Sequence, residues 1–185
     1  MNTTDKLTEI LSLVKEYIIE KQESQSWTPG KDWVSYSGPV FDEKEYIAAV
    51  NVLLDGWMIF GKNGRNFETE FPKHLGKLFG TLTNSGSSAN LLMVSATKSK
   101  RFHRQLKDGD KIITPVVCFP TTINPIIQNN LVPVFVDVEL PSVNLDLDKV
   151  EEALENDPDI KGIMFAHVLG NPPDMDRLMA LVEKY

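Results

Sequence analysis

From Gly80 onward, short apolar runs alternate with helical stretches, and this rhythm limits the fold more than any other feature of the sequence. "GTLTN" precedes "SSANLLMVSAT", and "KIITP" precedes a helical stretch over 119–128. "VPVFVDV" precedes "DLDKVEEALEN", and "IKGIMFAHV" precedes "PPDMDRLMALVEKY". Strands separated by helices, in units of about 20–30 residues, require crossover connections. The spacing therefore predicts an α/β fold with a mostly parallel sheet. Ligands of such sheets gather at the carboxyl ends of the strands. Here those ends are 84–88, 114–120, 137–139 and 167–171, which the topology should bring together.

The first 79 residues lack this alternation. Leu7, Ile10, Leu11, Val14, Tyr17 and Ile18 follow the spacing of an amphipathic helix that runs out in "KQESQS". "WTPGKDWVSYSGPVF" reads as an extended arm. A second helix should start at Asp42, with Glu45 completing a capping box, and stop at Gly56. "GWMIFGKNG" reads as a loop. A third helix should carry Phe67, Phe71, Leu75 and Leu78 on one face, with Pro72 kinking or breaking it. The expected organisation is thus helices and an arm over 1–79 and an α/β region over 80–185. "DRLMALVEKY" is a crossover helix with no strand after it, so the chain is expected to be the front part of a longer protein.

Charge and cysteine content remove several function classes. With 26 acidic against 19 basic residues, the net charge of -7 argues against a general binder of nucleic-acid backbones. Small phosphorylated ligands stay open, because a helix N-terminus binds them without bulk positive charge. The single cysteine, Cys118, allows neither an internal disulfide framework nor a cysteine-cluster metal site, and it suits a reducing compartment. No apolar run reaches the roughly 18–20 residues of a membrane span, and "MNTTDK" is no secretory start. The expectation is a soluble cytoplasmic protein without a membrane or nucleic-acid partner. The sequon at Asn2 is discounted accordingly.

Several residues then stand out. "NSGSSANLL" lacks the glycine and lysine spacing of a P-loop and the three-glycine turn of a dinucleotide fold. It reads either as a helix start capped by Ser85, Ser87 or Ser88, or as a phosphate site built from bare backbone at a helix entrance. Phe119 lies just past a strand end, as a core residue or as an aromatic that stacks on a flat ligand. Cys118 beside it reads as a small filler, since no cation there lowers its pKa. His167 and Asp137 are polar groups at strand ends, each with a structural reading beside the functional one. His74 and His103 read as surface or helix residues, and no metal site is assigned. Lys62, Asn63 and Arg65 form a polar cluster after Trp57, either a solvated turn or a loop meeting an anionic substrate.

Taken together, "DGWMIFGKNGRNFETEF", "NSGSSANLL", "GDKIITPVVCFPTTINPIIQNNLVPVFVDVE" and "IKGIMFAHVLGNPPDMDRL" resemble the DegT/DnrJ/StrS family of pyridoxal-phosphate-dependent sugar aminotransferases and dehydrases. Within it, "SGSSANLL" and "FPTTINPIIQN" look closest to the CDP-4-keto-6-deoxyglucose 3-dehydrases of lipopolysaccharide biosynthesis. The resemblance implies the large domain of a fold-type-I PLP-dependent transferase, incomplete at its C-terminus. It implies pyridoxal 5'-phosphate or pyridoxamine 5'-phosphate as cofactor. Gly86, Ser87 and Ser88 match the family's phosphate-cradling turn, Phe119 the ring-stacking aromatic, and His167 a position near the cofactor. Trp57 and Lys62 match a region that approaches a nucleotide-diphosphate sugar in the family's homodimers. The Schiff-base lysine or its histidine replacement, the acidic partner of the pyridine nitrogen and any iron–sulfur cysteines are expected beyond Tyr185. No residue of this chain is assigned a catalytic role. The implied reaction is loss of the C3 hydroxyl from a nucleotide-linked 4-keto-6-deoxy sugar. The alternatives are transamination of the same ketone or a non-catalytic fragment.

Overall fold

The computed structural model describes residues 2–35 and 37–185. They form two compact units, Met1–Thr81 and Leu82–Tyr185.

The first unit is helical. α1 (Thr3–Glu23) starts where Asn2 accepts the Asp5 N–H at 2.8 Å and Asp5 accepts the Asn2 N–H at 3.1 Å, two otherwise orphan donors satisfied reciprocally. Ile18 is buried and Leu7, Leu11 and Val14 are half-buried, while Ile10 and Tyr17 of the expected stripe stay exposed. α2 (Glu43–Asp55) begins on Asp42, whose N–H donates to Glu45 at 2.8 Å, and ends on Gly56 in the left-handed region, φ 75°. Both termini fall where the sequence places them. Among the described residues of 24–41 there are turns but no helix or strand, and Gln22 Nε2 donates to the Phe41 carbonyl at 2.7 Å.

The loop expected after Trp57 is shorter than its glycines suggest. α3 (Lys62–His74) starts on Gly61, so Lys62, Asn63 and Arg65 occupy its first turn and the Arg65 N–H donates to the Gly61 carbonyl. Gly64 costs the helix about 1 kcal/mol relative to alanine without stopping it. Phe67 and Phe71 stack one turn apart, with centroids 4.9 Å apart and planes 11° apart. Leu75 is already the C-cap and Leu78 lies beyond, so the expected four-residue face is cut to two. Pro72, in the last turn, has no N–H for the Glu68 carbonyl, and the helix stops two residues later.

In the second unit, β1 (Lys111–Pro115), β2 (Val132–Val136) and β3 (Ile160–Ile163) form a parallel sheet in the order β2-β1-β3. The helices are α4 (Gly86–Thr97), α5 (Pro120–Gln128), α6 (Leu147–Asn156) and α7 (Met175–Lys184). Side chains alternate across the central strand. Ile112 packs with Val94 of α4, Ile126 of α5, Leu131 and Met164. Ile113 packs with Leu147 and Val150 of α6, Leu178 and Leu181 of α7, Val136 and Leu145. The result is three layers, with α4 and α5 on one face and α6 and α7 on the other.

One expected strand is absent. "GTLTN" does not join the sheet and runs as irregular backbone into α4. Leu82 is its only bulky apolar residue and stays 43% exposed, so burial offers little to fix it as a strand. Lys111 Nζ meets the Asp157 carboxylate at 2.6 Å, tying the start of β1 to the end of α6.

Two predictions follow from this packing. A β-carbon on Gly80 would come within 2.5 Å of Pro72 Cγ, whereas one on Gly86 would meet nothing within 4 Å. Gly80→Ala should therefore lower stability by about 1–3 kcal/mol in urea denaturation, with Gly86→Ala neutral or slightly stabilising. The Lys111 ammonium holds the Asp157 carboxyl below its ordinary 3.8, and Asp157 raises Lys111 above 10.5. The depressed carboxyl stabilises fully above pH 3.8 and loses that contribution as pH falls through its folded value. The raised ammonium stabilises fully below pH 10.5 and loses it as pH rises through its folded value. Lys111→Met should flatten both limbs of a stability–pH curve while leaving its shape near neutrality unchanged.

Candidate functional site

The site grows from the first turn of α4. Ser85 is its N-cap, in extended backbone (φ -162°, ψ 160°), and its Oγ accepts the Ser88 N–H at 3.2 Å. The Ser85 carbonyl accepts the Ala89 N–H at 3.0 Å. That choice of cap resolves the three serines. The Ser88 amide is committed to Ser85, while the N–H groups of Gly86 and Ser87 have no acceptor among the described residues. Two free donors at the positive end of a twelve-residue helix attract an anion. Gly86 is not needed for its backbone angles, since its φ lies outside the left-handed region. What it leaves is space: a β-carbon there would meet nothing within 4 Å.

The start of α5 lies beside it. Phe119 is the N-cap and Pro120 the first helical residue, where its missing N–H costs nothing. Phe119 is 66% exposed, which rejects the core reading and leaves the side chain open to a flat ligand. The two helix starts are joined directly. Ser87 Oγ donates to Thr121 Oγ1 at 3.3 Å, and Asn90 Nδ2 donates to the Thr121 carbonyl at 3.1 Å. Neither Asn90 nor Thr121 is singled out by the sequence reading. A signal was nonetheless present, because Pro125 stands four residues after Thr121 inside a helix.

The other strand ends share the same sheet edge without touching this pair. Parallel registers set Pro115 beside Val136 and Ile113 beside Ile163. His167 follows β3, exposed, with its ring 5.6 Å from that of Phe165 and tilted by 39°. Asp137 follows β2 and accepts the Val138 N–H at 2.7 Å, closing a local turn. No hydrogen bond joins either residue to α4 or α5 among the described residues. Cys118 is half-buried, and burial pushes its thiol above the ordinary 9.0, so it stays protonated and a poor nucleophile.

Trp57 and Lys62 belong to the first unit. The Trp57 indole N–H donates to the Phe60 carbonyl at 3.2 Å, and Lys62 opens α3 with its side chain exposed. His74 and His103 are exposed, as expected. Among the described residues, no group of three or more His, Cys, Asp or Glu side chains could hold a metal ion, and no helix is long and apolar enough to cross a membrane.

Residues 40–185 match the DegT/DnrJ/EryC1/StrS aminotransferase family. The chain belongs to that family. It is 42% identical over 98% of its length to a dTDP-4-dehydro-2,6-dideoxy-D-glucose 3-dehydratase of Saccharopolyspora spinosa. It is 41% identical over 99% of its length to the lipopolysaccharide biosynthesis protein RfbH of Salmonella typhimurium. It spans only 39% and 42% of these two relatives. Among solved structures it superposes, with a TM-score of 0.72 and 33% identity, on an E. coli GDP-4-keto-6-deoxy-D-mannose-3-dehydratase with bound hydrated PLP. That match covers 82% of this chain and 39% of the dehydratase. The family and the α/β fold expected from the sequence are thus the ones found.

The free amide pair, the open volume at Gly86 and the exposed Phe119 ring fit a flat ring that carries a phosphate ester. The donors suit the ester and the aromatic face suits the ring.

Proposed function

We propose that the protein carrying this chain is a pyridoxal- or pyridoxamine-phosphate-dependent enzyme of nucleotide-sugar metabolism. It removes the C3 hydroxyl of a nucleotide-linked 4-keto-6-deoxy sugar on the way to dideoxysugars of a surface polysaccharide, in the cytoplasm. The observation that carries this reading is the 41–42% identity, over nearly the whole chain, to a 3-dehydratase and to RfbH. The family's own description favours a second reading, transamination of the same class of ketone. The sequence-level alternative of a non-catalytic fragment has no such observation behind it.

In this reading, residues 80–185 are the front part of the cofactor-binding domain, and residues 1–79 supply helices and an arm. Gly86 and Ser87 hold the phosphate through their backbone N–H groups. Ser88 can add only its hydroxyl, because Ser85 already takes its amide. Phe119 stacks on the pyridine ring, which fixes the ring's plane and keeps water off one side. His167 stands on the same strand-end edge, near the bound ring. Trp57 and Lys62 face the nucleotide-sugar, with Lys62 countering diphosphate charge. When bound, the cofactor supplies the electron sink for the bond changes at the sugar. The residues of this chain bind and orient, and the acid–base and Schiff-base groups are assigned beyond Tyr185. An iron–sulfur cluster would need cysteines from that part too, since Cys118 stands alone here.

Calorimetric titration of the intact protein with pyridoxamine 5'-phosphate tests the site. Gly86→Val fills the open volume and should raise the dissociation constant by at least about tenfold, roughly 1.4 kcal/mol. Phe119→Ala should cost about 1 kcal/mol through lost stacking, and Ser88→Ala no more than about 1 kcal/mol. Unchanged affinity in Gly86→Val would move the phosphate elsewhere and leave "NSGSSANLL" as a capped helix start.

The same reading includes a homodimer. Trp33, Val34, Val40, Leu78 and Phe79 of the first unit are each more than two-thirds exposed. Exposed apolar side chains of this size are what a subunit interface would cover. Light scattering should show a dimer at micromolar concentration, and a monomer there would remove the dimer from the proposal.

A further inference from the structure

We propose that Asn90 is a positioning residue, whose side-chain amide holds the start of α5 against the start of α4 so that the Phe119 ring and the free amide pair act as one cofactor site. The inference rests on the cofactor reading above and deepens it. It begins with Pro125, which is buried inside α5. A helical residue in that place would donate its N–H to the Thr121 carbonyl four residues earlier, and proline has no N–H to give. The Thr121 carbonyl accepts instead from Asn90 Nδ2 at 3.1 Å, across the gap between the two helices. The bond is partly buried, so water does not readily take the place of the amide.

Its position in the chain gives the bond its consequence. Asn90 stands four residues after Gly86, on the same face of α4 one turn on. Thr121 stands two residues after Phe119. The amide therefore spans from the turn that presents the free N–H pair to the turn that presents the aromatic ring. Ser87 reinforces the link, with its hydroxyl 3.3 Å from that of Thr121. The two helices also have apolar anchors. Val94 and Ile126 already pack the two helices against the sheet through Ile112 and Met164. Asn90 sets the distance between two binding elements that would otherwise be held by the exposed Ser87–Thr121 hydroxyl pair and by nonpolar contacts further along each helix.

A double-mutant cycle in the intact protein separates positioning from plain structural support. Asn90→Ala should raise the calorimetric dissociation constant for pyridoxamine 5'-phosphate by about fivefold, the equivalent of one hydrogen bond. The constant for inorganic phosphate, which needs only the amide pair, should stay within about twofold. In a Phe119→Ala background, Asn90→Ala should have little further effect on pyridoxamine phosphate, because the ring it positions is gone. Thermal melting without cofactor reports the fold separately, and Asn90→Leu, which keeps side-chain bulk without the donor, should reproduce the binding loss. Full additivity of the two losses would overturn the proposal, as would an equal loss of inorganic phosphate binding. So would unchanged pyridoxamine phosphate affinity in Asn90→Ala while Gly86→Val still weakens it. If Gly86→Val itself has no effect, the cofactor site falls, and the role of Asn90 falls with it.

Discussion

The second unit depends on β1 and on its ability to serve two cores at once. Ile112 and Ile113 are neighbours in the chain, yet one anchors α4 and α5 and the other α6 and α7. The alternation of side chains along a strand makes this possible, with β2 and β3 paired on its two edges. Each buried isoleucine contributes about 1.5–3 kcal/mol relative to exposure. The larger consequence is geometric. Because β2 and β3 both run parallel to β1, every strand delivers its chain to the same edge, and the helix starts that follow are concentrated there.

In the proposed reading two ordinary helix starts form one site: α5 follows β1 at that edge, while α4, which follows no strand of the sheet, packs beside it through Val94 and Ile112. α4 alone offers two unsatisfied amides, and α5 alone offers an aromatic N-cap. A charged ester and a flat ring are chemically different targets, and one ligand can satisfy both only at a fixed separation. The structure fixes it through polar bonds, Asn90 to Thr121 and Ser87 to Thr121, with a buried proline leaving the required carbonyl open. A residue that looks like a helix breaker is, in this setting, what leaves an acceptor for the neighbouring helix.

The first unit follows a different rule. Its helix termini are specified locally, by the reciprocal caps at Asn2 and Asp42 and by Gly56. Its interior is small: Ile18 and Pro72 are its buried residues among those described. Large aromatic and aliphatic side chains from the arm to Phe79 remain exposed. Caps supply helices with definite ends but no core, so this unit has little buried apolar surface of its own to stabilise it.

The contrast between local and distant causes also separates what the sequence determined alone from what only the tertiary structure decided. Capping boxes at Asn2 and Asp42, the stop at Gly56 and the βα rhythm after "KIITP" depend on residues within a few positions of each other, and each is readable in one dimension. "GTLTN" has strand composition but does not pair, because a strand exists only through a neighbour that local sequence does not specify. The glycines after Trp57 looked like a loop, but Gly61 and the following turn start a helix instead. Gly86 and Phe119 were legible as candidates, yet two facts needed three dimensions. Ser88 spends its amide on Ser85, and the Phe119 ring faces solvent rather than the core. Asn90 and Thr121 lie 31 residues apart, and only the parallel sheet brings them within hydrogen-bonding distance. Short-range chemistry set where the elements begin and end. The separation between amide pair and aromatic ring was decided by tertiary contacts, packing on β1 together with the bonds to Thr121, because it depends on distances that no local pattern encodes.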